Sequence, residues 1–147
     1  KIMKTGHIGI NVSDIARSKA FYTQAFGLSV MGESQQTGKQ FAFLGEGGVL
    51  YVTLWQQSRG RFDSQTPGLH HLSFEVESIE EVQSAQARVR ALGAEFLYDG
   101  VVPHSEGAQS GGIFFRDPDG IRLEIYAPSG AEQAEAPSGM APSCGFF

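Results

Sequence analysis

The residues of this chain best suited to act together are His7, His71 and Glu124. His7-Ile-Gly-Ile-Asn-Val12-Ser-Asp-Ile15 and His71-Leu-Ser-Phe-Glu-Val76-Glu-Ser-Ile79 superpose without a gap, so the two histidines hold equivalent places in an internal repeat. In each copy apolar residues alternate with polar ones, Ile8, Ile10 and Val12 in the first and Leu72, Phe74 and Val76 in the second. Each histidine therefore lies on the polar face of a strand. In the stretch Ile121–Tyr126 the greasy row Ile121, Leu123 and Ile125 leaves Arg122, Glu124 and Tyr126 on the opposite side. Two imidazoles and one carboxylate form a facial ligand set for Fe(II) that also suits Mn, Co, Ni or Zn, with positions left open for water or substrate. A single histidine on a strand is more often a structural residue. A repeated pair joined by a carboxylate on an otherwise apolar strand is harder to explain as packing, because a buried carboxylate needs a partner.

The elements that must position these groups are legible around them. Asp14 can cap a helix carrying Ile15, Ala16, Phe21 and Phe26 that stops at Gly27. Ser78 with Glu81 makes a capping box, and Ile79, Val82, Ala85, Val89 and Leu92 recur at helical spacing before Gly93. Three strand-like stretches follow each helix: 29–34, 40–44 and 49–56 in the first half, 95–98, 111–116 and 121–126 in the second. The fold class is therefore α+β, with two strand-helix-strand-strand-strand modules, residues 5–56 and 69–127. They are joined by a breaker-rich linker, 57–68, within one domain spanning 1–127. If each sheet packs its greasy face on its own helix, the polar faces line a shared concavity where the three ligands meet. Residues 128–147, rich in Ala, Pro, Ser and Gly without a period, read by composition as disordered. Cys144-Gly-Phe-Phe147 could nevertheless anchor that tail to the body or to a neighbouring chain.

With 147 residues, 41% of them hydrophobic and 18% charged, the composition is that of a globular protein with room for one sizeable core. Eleven Lys and Arg against 16 Asp and Glu give 11 − 16 = −5, the wrong sign for a nucleic-acid partner. No apolar run approaches the ~20 residues of a membrane span. The lone Cys144 cannot form an internal disulfide, so a reducing, cytoplasmic setting is expected.

The chain resembles the vicinal oxygen chelate superfamily, also called glyoxalase / bleomycin resistance protein / extradiol dioxygenase. The resemblance covers about residues 5–127. It rests on Gly6-His7, on the helix with Ser18, Phe21, Tyr22 and Gly27-Leu28, on Gly68-Leu-His-His-Leu-Ser-Phe-Glu-Val76, and on Asp117-Pro-Asp-Gly-Ile-Arg-Leu-Glu124. It implies two βαβββ modules forming a U-shaped open barrel around a metal cleft, often with two chains per assembly. It carries metal ligation to His7, His71 and Glu124 and leaves His70, out of phase, as structural. A fourth ligand position of the superfamily, Glu in many glyoxalases, falls on the last strand of the first module, where Thr53 stands. One divalent ion with one carboxylate keeps a net +1 and should welcome an anionic or bidentate oxygen substrate.

The extradiol signature of a His, a Tyr, Asp-Pro-x-Gly and the ligand Glu is nearly matched by His104, Phe114 and Asp117–Glu124, with Phe114 where the Tyr hydroxyl would be. His104 is thereby a candidate to shuttle protons. Its plainer reading is an exposed loop histidine, which the sequence favours. Ser105-Glu106-Gly107 is similar to a loop of the fosfomycin-modifying branch, although Arg122 is the single cation near the ligands. Tyr51, Trp55, Phe114 and Tyr126 could wall a pocket for a flat or partly apolar ligand, or could pack between the modules. Glu75, roughly 13 Å along the strand from His71 at ~3.3 Å per residue, is too far to ligate and is either a rim base or solvated.

Two functions are consistent with these residues. One is a divalent-metal enzyme of the lyase, isomerase or extradiol dioxygenase type, whose ion (Fe, Mn, Zn, Ni or Co) chelates vicinal oxygens of a small oxygen-rich substrate, aromatic or anionic. The other is a drug- or metabolite-binding resistance protein of the same fold without turnover. The ligand trio favours the enzyme. The partners expected are a small molecule and a second copy of the chain, with neither nucleic acid nor membrane.

Overall fold

The computed structural model describes residues 1–147. The chain divides into two compact units, Lys1–Phe62 and Asp63–Phe147. The first runs β1 (Ile8–Val12), α1 (Ile15–Phe26), β2 (Ser29–Ser34), β3 (Phe41–Glu46) and β4 (Val49–Gln56). The second runs β5 (Leu72–Glu75), α2 (Ile79–Ala91), β6 (Val102–Pro103), β7 (Gly111–Arg116) and β8 (Arg122–Ala127), then a short 3₁₀ turn at Ser143–Gly145. Each unit holds a four-stranded sheet of one topology, β1-β4-β3-β2 and β5-β8-β7-β6. The first and last strands pair in parallel and the others antiparallel. The repeat in the sequence is thus a repeat in the fold, which is α+β.

Local chemistry explains the helices. The Asp14 carboxylate accepts the Arg17 amide at 3.1 Å, and Gly27 closes α1 in the left-handed region at φ 68°. The Ser78 hydroxyl accepts the Glu81 amide, while the Glu81 carboxylate turns back to the Glu77 amide at 2.8 Å. Helix α1 packs on β3 and β4, and α2 on β7 and β8. Ile15, Phe21, Tyr22 and Ala25 of α1 are buried in the first unit, as are Ile10, Val12, Leu44 and Leu54 of its sheet. Val82, Ala85 and Val89 of α2 are buried in the second unit, as are Ile113, Phe115, Leu123 and Ile125. Ala16, expected on the apolar face of α1, is exposed, and Ser18 takes a buried place instead.

The strand expected at 95–98 is not a regular one. Only an isolated bridge joins Phe96 to Phe115, and the edge strand of that sheet is the two-residue β6. The segment still gives two backbone hydrogen bonds to β7, between Leu97 and Phe114 and between Arg116 and Glu95, but a second edge partner takes over beyond them. The tail also departs from its composition. Residues after Ala127 are held to the second unit by backbone bonds from Ala131 to Gln109, from Glu106 to Gly139 and from Ser143 to His104. Satisfied backbone groups and a fully buried Ser143 replace the core that this segment lacks by itself. No helix is long and apolar enough to cross a membrane.

Candidate functional site

Glu124 is placed by the turn before it. The Asp117 carboxylate accepts the Asp119 and Ile121 amides, each at 2.8 Å, and Gly120 adopts φ 91°, a conformation that suits glycine. This turn sets the β7–β8 register, in which Glu124 faces Phe114 across one ladder and Ser73 across the other. Side chains two residues apart share a face, so His71 lies on the Glu124 side of the sheet.

The carboxylate is 2% exposed, and two imidazoles meet it. His104 Nε2 hydrogen-bonds Oε2, and His71 Nε2 stands 3.8 Å from Oε1. The other nitrogen of His104 lies 2.7 Å from the Ser110 hydroxyl, so a chain of contacts runs from Ser110 through His104 to Glu124. His104 is accordingly not the exposed loop side chain that its sequence context favours, since its side chain is 23% exposed. Burial holds the His71 imidazole below its usual value against the upward pull of the Glu124 charge, with His70, Arg122 and His104 pushing the same way as burial. His70 exchanges a contact with His71, Nδ1 to Nδ1 at 2.8 Å.

Around this group stand aromatic and cationic side chains. Phe114 is fully buried and meets the rings of Tyr98, His104 and Phe146. Tyr126 lies 5.0 Å from the His104 ring, and its hydroxyl donates to Glu75 at 2.7 Å, which raises the phenol's pKa. Glu75 is thus a partner of Tyr126 rather than a free base. Arg122 lays its guanidinium 4.6 Å from the Phe146 ring centre, and its buried Nε has no hydrogen-bond partner.

His7 belongs to the first unit and is exposed at the foot of β1. On the His7 face of that sheet Thr53 is 2% exposed, and its hydroxyl accepts the Trp55 indole N–H at 2.9 Å. Phe41, Phe43 and Trp55 form a ring cluster there with centroids 4.9 to 5.7 Å apart. Tyr51 is 44% exposed. Phe41 and Phe43 join this face although the sequence reading singled out neither; their alternation with Ala42 and Leu44 is the signal that would have found them. No three His, Cys, Asp or Glu side chains stand preassembled around a cation position.

The family model of the glyoxalase/bleomycin resistance protein/dioxygenase superfamily matches residues 4–125. The chain belongs to that superfamily. Its relatives include a trivalent organoarsenical cleaving enzyme of Bacillus sp. strain MD1, 30% identical over 84% of this chain and 73% of that protein. A probable lactoylglutathione lyase of Vibrio cholerae is 26% identical over 81% of this chain and 86% of its own. A superfamily domain from Frankia sp. EAN1pec superposes with a TM-score of 0.71 at 27% identity, covering 86% of this chain and 98% of that one. The fold also recurs in a fosfomycin resistance protein of Listeria monocytogenes crystallised with Mn(II) and sulfate, with a TM-score of 0.65 and 23% identity over 90% of this chain and 98% of that one. The superfamily match stops at residue 125, so the tail that packs against Phe114 and Arg122 lies outside it.

Proposed function

We propose that this superfamily member is a divalent-metal-dependent enzyme acting on a small oxygen-rich substrate, with His7, His71 and Glu124 as ligands and His104 as the proton-handling residue. One observation carries the reading: a nearly fully buried carboxylate whose partners are two imidazoles, one at each oxygen. Burying an anion is costly unless a cation or a set of donors answers it. The donor set fits a borderline divalent ion, since imidazole nitrogens and a carboxylate suit Fe, Mn, Co, Ni and Zn alike. His7 would be supplied by the first unit of this chain or of a second copy in a homodimer.

A bound ion would supply Lewis acidity, polarising vicinal substrate oxygens. The chain's own groups do the rest. Glu124 carries the single ligand carboxylate, because Thr53 stands where a second could be, and the remaining positive charge favours an anionic substrate. His104, held between Ser110 and Glu124, has a fixed ring orientation and can take or return a proton. Phe114 and Tyr126 wall the His104 side.

Elemental analysis of purified protein tests the reading: about one divalent ion per chain is expected. His71→Ala and Glu124→Ala should each lose it, and stoichiometric metal surviving both changes rejects the site. Mn(II), the ion held by the Listeria relative, is the first to supply. Turnover is then sought with catechols under O2, thiol–aldehyde adducts, fosfomycin with thiols, and trivalent organoarsenicals. A second reading, a binding protein without turnover, is favoured by the Phe41–Phe43–Trp55 ring cluster. Tight ligand binding with no product across that panel would support it. A cytoplasmic setting remains part of the proposal and rests on the single cysteine.

A further inference from the structure

Phe146 occupies a place that its own segment does little to explain. Its ring lies parallel to Tyr98 at 7° and 6.2 Å, and nearly perpendicular to Phe114 at 85° and 5.8 Å. His70 and His71 approach it at 5.8 and 5.9 Å, and the Arg122 guanidinium covers it at 4.6 Å. A parallel ring, a perpendicular ring and a cation over the face are the contacts that hold a flat, electron-rich ligand. The backbone is bent to deliver this ring. Phe146 is the single non-glycine residue with a positive φ, 58°, a conformation costly for a bulky side chain and sustained only where surrounding contacts impose it. The turn that carries it is anchored at Ser143, whose hydroxyl donates to the Pro103 carbonyl at 2.6 Å and whose carbonyl accepts the Tyr98 hydroxyl at 2.7 Å.

Beside the ring lies a cavity of about 550 Å³ lined by His70, Tyr98, Arg116, Arg122 and Phe146. Arg116 is engaged by Glu95 at 3.2 Å and by the Gly120 carbonyl. Arg122 is different, for its buried Nε lacks an acceptor. A buried donor left unmatched is costly, and an acceptor on a ligand would recover that cost.

We propose that the place of Phe146 is a subsite for a flat ring bearing an acidic group, and that the segment Ser143–Phe147 fills it until such a ligand displaces it. The ring of the ligand takes the position between Tyr98, Phe114 and His71, and its acidic group meets Arg122. The inference rests on the proposed function in taking His71 and Glu124 as the neighbouring reactive centre, and it adds the class of substrate that centre would receive.

Benzoate is the probe, titrated calorimetrically into metal-free, dialysed protein. The intact chain should bind it about tenfold more weakly than Phe146→Ala or a chain truncated after Pro142, because the competent state is then no longer masked. Cyclohexanecarboxylate, equally charged but not flat, should bind more weakly than benzoate to every variant. In the intact chain benzoate should also quicken labelling of the only cysteine, Cys144, which is half-buried in the same segment. Equal benzoate affinity in the three proteins, absence of binding to Phe146→Ala, or labelling indifferent to benzoate would each overturn the proposal. Phe146→Ala keeps the backbone anchors, so it decides the matter if the truncated chain fails to fold. Metal content is read on separate samples, so loss of the metal reading leaves this result standing, and the reverse holds as well.

Discussion

At the scale of single residues, the site depends on groups that are buried and polar at once. Phe114 closes one side of Glu124 and is fully buried, so Phe114→Ala should cost about 3–5 kcal/mol in urea unfolding, the usual toll of a large-to-small change in a core. His71 gives a pH signature. Its folded imidazole titrates below the unfolded value of 6.5, so the unfolded chain binds the proton first as pH falls. Stability of the metal-free protein should therefore decline from about pH 6.5 downward until the folded ring also protonates, and His71→Asn should flatten that part of the profile. Thermal melts across pH 5 to 8 on both proteins would check it, and an unchanged profile in the variant would contradict the assignment.

Secondary-structure elements hold these residues through caps, turns and close approaches. Ser78→Ala removes the acceptor for the Glu81 amide at the start of α2 and should cost about 1 kcal/mol, read from the denaturant midpoint at constant slope. Gly112 is under tighter constraint, because an added Cβ would overlap the Ile125 carbonyl on β8. Gly112→Ala must push β7 from β8 and should destabilise by about 3 kcal/mol or more, while disturbing the register that sets Phe114 against Glu124. A variant with wild-type stability would show that the two strands have slack that their contact distances deny.

For the whole molecule, the expected test is linkage between ligand and stability. A divalent ion that binds only the folded chain should stabilise it with the logarithm of its concentration, by about 2.7 kcal/mol at a hundred times its Kd, with a matching rise in melting temperature that a chelator should reverse. Glu124→Ala should abolish that response. Differential scanning calorimetry with and without Mn(II) makes the comparison, and a melting temperature indifferent to the ion in the unaltered protein would count against the proposed metal enzyme.

Much of this was written in the chain. The repeated His-x-x-x-x-Val strand, the capping residues Asp14 and Ser78, the glycine stops and the Asp117–Gly120 turn act over a few residues, so their physics is complete within the segment. The α+β modules and the polar-face placement of His71 and Glu124 followed from period alone. Strand 95–98 and the tail did not, because each is decided by partners distant in sequence: β7 for the first, and Pro103, His104 and Tyr98 for the second. The same holds for His104, whose contact with Glu124 spans 20 residues, and for Phe146, whose neighbours Tyr98, Phe114 and Arg122 are dispersed along the second unit. Local patterns settle which face a residue occupies, whereas only the packed chain settles what stands opposite it, because burial and pairing depend on segments that sequence order keeps apart.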